Sequence, residues 1–218
     1  MNNRILLSSI FVLFVIKIIA IYVTNFNLFG DEAQYWLWSK NLDYGYFSKP
    51  PFLSWFIALY TFLFGDSFVS LKILPQIIYF LTACSVYKLA ENLELNKDEA
   101  LSCSLLFLLI PAVSFSSFIL STDIFLLLFW TLSLNELLKI KKKPSLRGFF
   151  IFGVFLGLSF ISKYASVYFF ICFFIYFLLD GVFRKFVLKN YIGFSFSFIC
   201  FVLILLPNFL WNYNNGWL

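Results

Sequence analysis

Two adjacent carboxylates and a downstream lysine give residues 30–51, GDEAQYWLWSKNLDYGYFSKPP, side chains that could carry out chemistry. Asp31 and Glu32 begin this segment, the aromatic Tyr46 lies near its end, and Lys49 follows shortly after. A carboxylate can take a proton from an attacking hydroxyl, and a lysine can hold a phosphate. An aromatic ring can stack on a sugar or guide a polyprenyl chain. The segment therefore combines a candidate general base, a phosphate contact and an aromatic platform.

The composition is that of a membrane protein. The 218 residues are 62% hydrophobic and 12% charged, whereas soluble domains average about 45–50% apolar and about 25% charged. The net charge of +5 lies in short loops between apolar stretches, so we expect no nucleic-acid partner. The absence of histidine excludes a Ser-His-Asp triad, a Cys-His pair and a His metal ligand within these residues. The cysteines lie in apolar stretches at no ligand spacing, so we expect neither a disulfide nor a zinc site.

We predict seven membrane spans, since about 20 apolar residues cross the hydrocarbon core of a bilayer. They cover residues 5–23, 69–90, 100–120, 124–138, 146–161, 165–179 and 191–210. The fifth and sixth are short for this length. The first follows a basic N-terminus and lacks a small-residue cleavage site, so we expect it to remain as an uncleaved signal anchor.

Basic residues divide unequally between the two ends of these spans. With the N-terminus inside, the four outer ones are Lys40, Lys49, Lys72 and Lys163, and the eleven inner ones are Arg4, Lys88, Lys97, Lys139, Lys141, Lys142, Lys143, Arg147, Arg184, Lys185 and Lys189. This excess obeys the positive-inside rule. It predicts a cytoplasmic N-terminus and a long outer loop at residues 24–68.

The outer loop is predicted to hold two helices that lie at the membrane surface. Gly30-Asp31 is typical of a helix start with Asp31 as N-cap, and Tyr35, Trp38 and Leu42 then recur at helical spacing. Aromatic residues of this kind favour the headgroup zone. After Pro50-Pro51, residues 52–64 are apolar but too short to span, which predicts a helix that lies in or dips into the outer leaflet.

Further polar residues converge on the same outer face. Asp123 falls at the outer end of the fourth span, Lys163 at the turn between the fifth and sixth, and Trp211 with Asn212 just beyond the seventh. Each has an ordinary alternative, because Asp123 could cap a helix, Lys163 could snorkel to the interface, and tryptophans often anchor a protein at the interface. Ionisable groups near hydrocarbon are costly and tend to mark function. Their convergence predicts glycosyl transfer from a lipid-phosphate sugar.

Two other functions stay open from these residues. A transporter would carry its ionisable residues near the bilayer midplane, whereas here, Lys17 apart, they cluster at span ends. A truncated, non-catalytic protein that binds carrier lipid would share the same surface charges.

The motifs resemble those of bacterial membrane glycosyltransferases of the GT-C fold, relatives of the dolichyl-phosphate-mannose protein mannosyltransferases that include the lipid A aminoarabinose transferases. The segment starting GDEAQYWLW is similar to the first outer loop of that family, STDIFLLLFW to its second acidic motif, GLSFISKYASV to its Lys-bearing turn and LPNFLWNYNNGW to its Trp-Asn segment. The resemblance implies an all-α, multi-span GT-C-type bundle with amphipathic juxtamembrane helices in the first outer loop.

The resemblance also implies a chemistry and a place. It implies inverting transfer from a polyprenyl-phosphate sugar to a lipid A, glycan or protein acceptor, at the periplasmic face of a bacterial inner membrane. Asp31 takes the role of catalytic base. The implied substrate contacts are Glu32, Tyr46, Lys49, Asp123, Lys163, Trp211 and Asn212.

Two departures from the family pattern affect these expectations. Ser48 stands where an acidic residue normally precedes the donor-phosphate lysine, so a metal bound by that acid is not expected here. A divalent metal with other, unknown ligands stays possible, and no other cofactor is implied. Family members are also longer, with further spans and often an outer C-terminal domain. We therefore expect residues 1–218 to be the N-terminal transmembrane part, either as a truncated product or as half of a split enzyme.

Overall fold

The computed structural model describes residues 3–24 and 27–217, with side chains in the first helix described from Ser8 onward. The regular elements in these ranges are helices, which confirms the predicted all-α fold. They are α1 (Asn3–Thr24), α2 (Gly30–Trp38), α3 (Phe52–Phe64), α4 (Phe68–Asn92), α5 (Lys97–Leu109), α6 (Pro111–Ser116), α7 (Asp123–Lys142), α8 (Leu146–Ser162), a 3-10 turn (Tyr164–Ser166), α9 (Val167–Leu179), α10 (Gly181–Lys189) and α11 (Tyr191–Asn214). The side chains of Arg4 and residues 5–7, residues 25–26 of the predicted loop, and Leu218 lie outside this description.

Several helices begin where their sequence carries a capping residue. At α5, Asn96 accepts a hydrogen bond from the Glu99 N–H (3.0 Å), and Glu99 accepts one from the Asn96 N–H (2.9 Å). At α8, the Ser145 hydroxyl accepts from the Gly148 N–H at 3.1 Å. These bonds satisfy amide groups that have no partner inside the helix.

The first loop contains the two predicted helices, with one correction at the start of α2. The bounds of α3 are those predicted. Asp31 is not the N-cap of α2, because Phe29 holds that position and Asp31 is the second helical residue. The capping contact comes instead from Glu32, whose carboxylate accepts from the Phe29 N–H at 2.8 Å. Leu42 lies beyond α2, which ends at Trp38.

Helix α8 lies between α7 and α11, and α4 packs against both α5 and α7. The contact between α8 and α11 depends on small residues. A Cβ atom at Gly153 would lie 2.3 Å from the Ser197 carbonyl oxygen, so only glycine permits this approach. The Ser197 hydroxyl donates to the Phe149 carbonyl at 2.7 Å. Small residues and interhelical hydrogen bonds are the usual means by which membrane helices pack closely.

Two apolar clusters fill the bundle. One joins α2 and α3 to α4 and α7 through residues such as Tyr35, Ile57, Leu74 and Phe125. The other is rich in phenylalanine and joins α7 through α11. The first cluster holds the first-loop helices against the beginnings of α4 and α7, which is where the candidate site lies.

Some of the described helices are long and apolar enough to span a membrane, and others are shorter. Two of them, α4 and α11, are long and apolar enough to cross a bilayer, and residues 164–189, bent by 108° between α9 and α10, would make a third if counted as one span. Ser8–Thr24, α3 and α8 are shorter apolar helices. The predicted seven spans stay a prediction. The third is wrong as one continuous helix, because α5 ends at Leu109 and Pro111, which lacks an N–H, begins α6.

Helix α10 was not predicted, since its basic residues suggested a plain inner loop. Asp180 caps it by accepting from the Phe183 N–H at 2.7 Å, and this bond holds the pKa of Asp180 below its usual range. The Phe183 ring is buried and stacks on Tyr176 of α9, with ring centroids 4.3 Å apart. The alternation of apolar and basic residues at 182–189 could have indicated this amphipathic helix.

Candidate active site

The polar residues predicted to act together lie at one end of the bundle. We call it the first-loop end; it comprises α2, α3, the start of α4, the connector at residues 117–122, the start of α7, residues 162–166 and the last turns of α11. Hydrogen bonds from the first loop reach both the connector and α11. The predicted convergence of these elements is therefore present.

Asp31 is the accessible carboxylate of α2. Its side chain is exposed, and among the described residues it has no ion-pair partner and accepts no side-chain hydrogen bond. Burial raises the pKa of Tyr35 to about 12, and the negative charges of Asp31 and Asp123 add to this rise. Asp31 and Asp123 therefore both lie within electrostatic reach of one phenol.

Glu32 has the opposite environment. Its side chain is 0% exposed and forms an ion pair of 2.6 Å with Lys72, which is 3% exposed. The same carboxylate accepts from the N–H groups of Phe29 (2.8 Å) and Leu120 (2.7 Å). Both carboxylate oxygens are thus occupied inside the protein. The predicted substrate contact does not fit this burial, because no part of the Glu32 side chain reaches the surface.

Asp123 and Lys163 form a second, more open ion pair. Asp123 begins α7, Lys163 follows the last residue of α8, and their side chains meet at 2.6 Å. The exposed fractions are 44% for Asp123 and 33% for Lys163. Thr122 precedes α7 as its N-cap without a side-chain capping bond. Both side chains therefore remain partly exposed, and Lys163 forms an ion pair in addition to reaching the surface.

Tyr46 and Lys49 lie on a tight turn of the first loop. Their backbones exchange two hydrogen bonds of 3.1 Å, and Ser48 between them has a positive φ of 64°. The Tyr46 ring is buried and stacks on Trp38 at 4.7 Å, and burial raises the pKa of its hydroxyl. Tyr46 thus supports the turn. Lys49 is half-buried, and among the described residues no carboxylate lies within 4.0 Å of its ammonium group.

Another acid of the first loop, Asp66, has a partner for each of its carboxylate oxygens. Asp66 accepts from the Trp36 indole N–H at 2.8 Å and pairs with Lys40. These two donors, Lys40 first, hold the pKa of Asp66 below its usual range. The contact joins α2 to the turn that follows α3.

Trp211 and Asn212 lie within the last turns of α11, where they join the first loop to the bundle. Trp211 packs against Gly45, at which a Cβ atom would lie 2.3 Å from the indole ring. Asn212 donates to the Tyr164 hydroxyl at 3.1 Å, and Asn208, one helical turn earlier, donates to the Tyr44 carbonyl at 2.7 Å. Sequence reasoning missed Asn208 and Tyr164. Two asparagines four residues apart at the end of an apolar helix were the available signal.

The residues of this end do not offer a metal site. Within the described ranges there is no group of three or more Cys, Asp or Glu side chains close enough to hold an ion. Of the carboxylates of α2 and α7 at this end, Glu32 is buried with Lys72 and Asp123 is already paired with Lys163, which leaves Asp31 alone. A divalent metal therefore does not fit the described side chains as they are placed, and no step of the chemistry below passes through one.

Comparison with known proteins gives one family and two relatives. Residues 48–211 match the family described as dolichyl-phosphate-mannose-protein mannosyltransferase. The lipid A galacturonosyltransferase RgtD of Rhizobium johnstonii is 34% identical over 143 residues, which are 65% of this chain and 30% of that protein. The lipopolysaccharide core galacturonosyltransferase RgtA of the same organism is 31% identical over 154 residues, 69% of this chain and 30% of that protein. No solved structure gives a significant match.

The matched range includes some of the candidate site residues and leaves out Asp31. The alignments cover about a third of each relative's length. Lys49, Asp123, Lys163 and Trp211 fall inside the range matched by the family, whereas Asp31 lies before it. Asp31 is connected to the matched part by structure, through Glu32 and its ion pair with Lys72.

Proposed function

Because this chain belongs to the dolichyl-phosphate-mannose-protein mannosyltransferase family, we propose that its first-loop end is the reaction face of a membrane glycosyltransferase. The donor is a sugar linked to polyprenyl phosphate, and the acceptor is a hydroxyl of lipid A or of the lipopolysaccharide core. The relatives' names support this acceptor class, and they favour a uronic acid as the sugar. The face lies on the outer side of a bacterial inner membrane, as the distribution of basic residues predicts.

One observation carries the proposal. Three carboxylates of α2 and α7 lie at this end, and of these three Asp31 is the one that is exposed and has no ion-pair partner among the described residues. Glu32 is enclosed with Lys72, and Asp123 is paired with Lys163. A general base needs a free oxygen lone pair within reach of the substrate proton. Asp31 meets that requirement.

The proposed reaction is a direct displacement at the anomeric carbon. The oxygen of the acceptor hydroxyl attacks the anomeric carbon of the donor sugar and forms the new glycosidic bond. The bond from that carbon to the phosphate oxygen breaks, and its electron pair leaves with the polyprenyl phosphate. The hydroxyl proton passes to Asp31. Attack opposite the leaving group inverts the anomeric configuration.

Two lysines suit the phosphate. An ammonium group has three N–H donors, and Asp123 uses one of those on Lys163. The Lys163 ammonium group therefore has further N–H donors for an anionic oxygen. Its ion pair with Asp123 holds it at the protein surface. Lys49, which has no carboxylate partner among the described residues, is a second cation for the phosphate or for the carboxylate of a uronic acid. Cations stabilise the charge that develops on the leaving phosphate.

The proposal is tested by reconstituting the protein, as its gene encodes it, in vesicles with a polyprenyl-phosphate-linked uronic acid and lipid A. We expect mass spectrometry to show lipid A with one added uronic acid, and no product when the donor is replaced by unglycosylated polyprenyl phosphate. Binding of the donor without any transfer to lipid A, core oligosaccharide or protein would contradict the proposal and identify a non-catalytic carrier-binding protein.

A further inference from the structure

The connector at residues 117–122 is held by side chains from other helices. It links α6 to α7 without regular structure. The N–H groups of residues 117–119 bond to carbonyls of α6, and its other backbone groups need partners from elsewhere. Gln76 donates to the Ser117 carbonyl at 2.6 Å, and Lys72 donates to the Phe118 carbonyl at 3.3 Å. Lys17 of α1 reaches the Ser117 hydroxyl at 2.8 Å.

The first loop contributes the remaining contact. The Glu32 carboxylate accepts from the Leu120 N–H at 2.7 Å, and Leu120 is itself fully buried. The ion pair between Glu32 and Lys72 therefore touches three elements at once: α2, α4 and the connector. We call these two residues the buried clamp.

The ion pair of the buried clamp contributes little net free energy to folding. Removing two charges from water carries a desolvation penalty that their attraction often does no more than balance. An apolar pair of similar volume would serve packing equally well. What the ionic pair adds is directional bonding, because one carboxylate simultaneously orients a lysine and a backbone amide.

The clamp and the Leu120 amide that it binds are close in sequence to both carboxylates of the proposed reaction face, Asp31 and Asp123. Asp31 directly precedes Glu32 in the first turn of α2, and Asp123 follows the connector three residues after Leu120. Any shift of Glu32 relative to Leu120 therefore changes the separation between Asp31 and the pair formed by Asp123 and Lys163.

We infer that Glu32 and Lys72 are positioning residues, which hold Asp31 at a set distance from Asp123 and Lys163 and thereby align acceptor with donor. This inference rests on the proposed function for its catalytic consequence. Its structural part, that the clamp holds the connector to α2 and α4, stands on the contacts alone.

The test compares two lysines of the same helix in the intact protein. Lys72→Met removes the buried partner of Glu32, and Lys88→Met removes the partner of Glu91 in an exposed pair of 2.7 Å on α4. Hydrogen exchange of peptides that cover residues 117–122 reports on the Leu120 amide and needs no activity. Steady-state transfer then gives kcat and the donor KM.

For Lys72→Met we expect faster exchange in residues 117–122 and a kcat lowered about 10–100-fold with an unchanged donor KM, since small misplacement of reacting groups has effects of that size. For Lys88→Met we expect parental values. Parental exchange at 117–122 in folded Lys72→Met would overturn the inference. So would a raised donor KM with parental kcat, which would indicate a substrate contact instead.

A double variant keeps the test decisive if the lone buried carboxylate prevents Lys72→Met from folding. Glu32→Gln combined with Lys72→Met removes both charges and keeps an amide oxygen for the Leu120 N–H, but it loses the anchor to α4. We expect it to accumulate, to exchange faster at 117–122 and to have a lower kcat. Exchange and kcat within about twofold of the parent would overturn the inference. Absence of transfer in the parent would contradict the proposed function, and the exchange data would still decide whether the clamp exists.

Discussion

At the scale of single residues, the environment of each carboxylate decides its use. Asp31 is exposed and has no ion-pair partner among the described residues. Asp123 forms a partly exposed ion pair with Lys163, and Glu32 forms a buried one with Lys72. The first two can meet a substrate, and the third can only hold other residues in place. Neighbouring positions on a helix differ by about 100° in direction, which is why Asp31 and Glu32 have opposite surroundings.

The lysines give a prediction on donor binding. Replacing Lys49 or Lys163 with Met should each weaken binding of polyprenyl phosphate about 10–150-fold, because charge-assisted hydrogen bonds to phosphate contribute about 1.5–3 kcal/mol. The loss should be larger at low salt, where charges are less screened. Equilibrium binding in detergent measures it, with Lys185→Met at the opposite end as control. Parental affinity in the double Lys49→Met, Lys163→Met variant would show that neither lysine contacts the phosphate.

The residue types of the site were predictable, but their partners were not. The sequence indicated Asp31, Asp123 and Lys163 because charged residues near apolar spans are costly and conspicuous. It did not indicate Lys72 as the partner of Glu32, since the two are 40 positions apart and only the fold brings them together. Trp211 and Asn212 were expected beyond the last span, whereas α11 continues through both.

At the scale of elements, the first loop is fixed to the bundle at two places, near its start and near its middle. The clamp holds α2 to α4, and Trp211 covers Gly45 near the turn of Tyr46 and Lys49. Asn208 adds a bond to the loop backbone. Such supports suit the proposed role of Asp31, because reacting groups must be held close to the productive geometry.

The contact at Gly45 gives a prediction on stability. Gly45→Ala places a Cβ atom 2.3 Å from the Trp211 ring, so the indole must move and the protein should lose about 1–3 kcal/mol. Thermal or denaturant unfolding in detergent measures this. Gly30→Ala is the matched control, since nothing lies within 4 Å of its Cβ position. Equal stability of the two variants would mean that the loop does not depend on Trp211.

Proline and glycine in the sequence predicted the bounds of α3, whereas hydropathy did not predict the short helices and the breaks between helices. The bounds of α3 follow from Pro50-Pro51 at one end and Gly65, with φ of 87°, at the other. Helix α10 and the interruption at Pro111 escaped prediction because hydropathy alone joins or omits such short pieces. The interruption at Pro111 separates α5 from α6, and the connector follows at the end of α6.

At the scale of the whole molecule, charge distribution sets the expected orientation. Acids and lysines of the site gather at the first-loop end, while α10 and the turn between α7 and α8 carry the basic residues of the other end. The positive-inside rule places that basic end in the cytoplasm. The membrane character was readable from composition, and the orientation stays a prediction.

Cysteine labelling tests the orientation. In a background without the native cysteines, Asn41→Cys should react with an impermeant thiol reagent in intact cells, and Pro144→Cys only after permeabilisation. Both positions are exposed, so access to the protein surface is matched. Labelling of Pro144→Cys alone in intact cells would place the first-loop end in the cytoplasm and exclude a periplasmic reaction face.

We propose Asp31 as the base for glycosyl transfer at the first-loop end, and the transfer rate of Asp31→Asn tests this role. General-base catalysis contributes about 10²–10⁴-fold, so kcat should fall by that factor while the protein accumulates and binds donor like the parent. Asp43→Asn, at another exposed acid of the same loop, should keep its rate because an amide oxygen can still accept from the Tyr44 N–H. A near-parental rate for Asp31→Asn would show that Asp31 is not the general base.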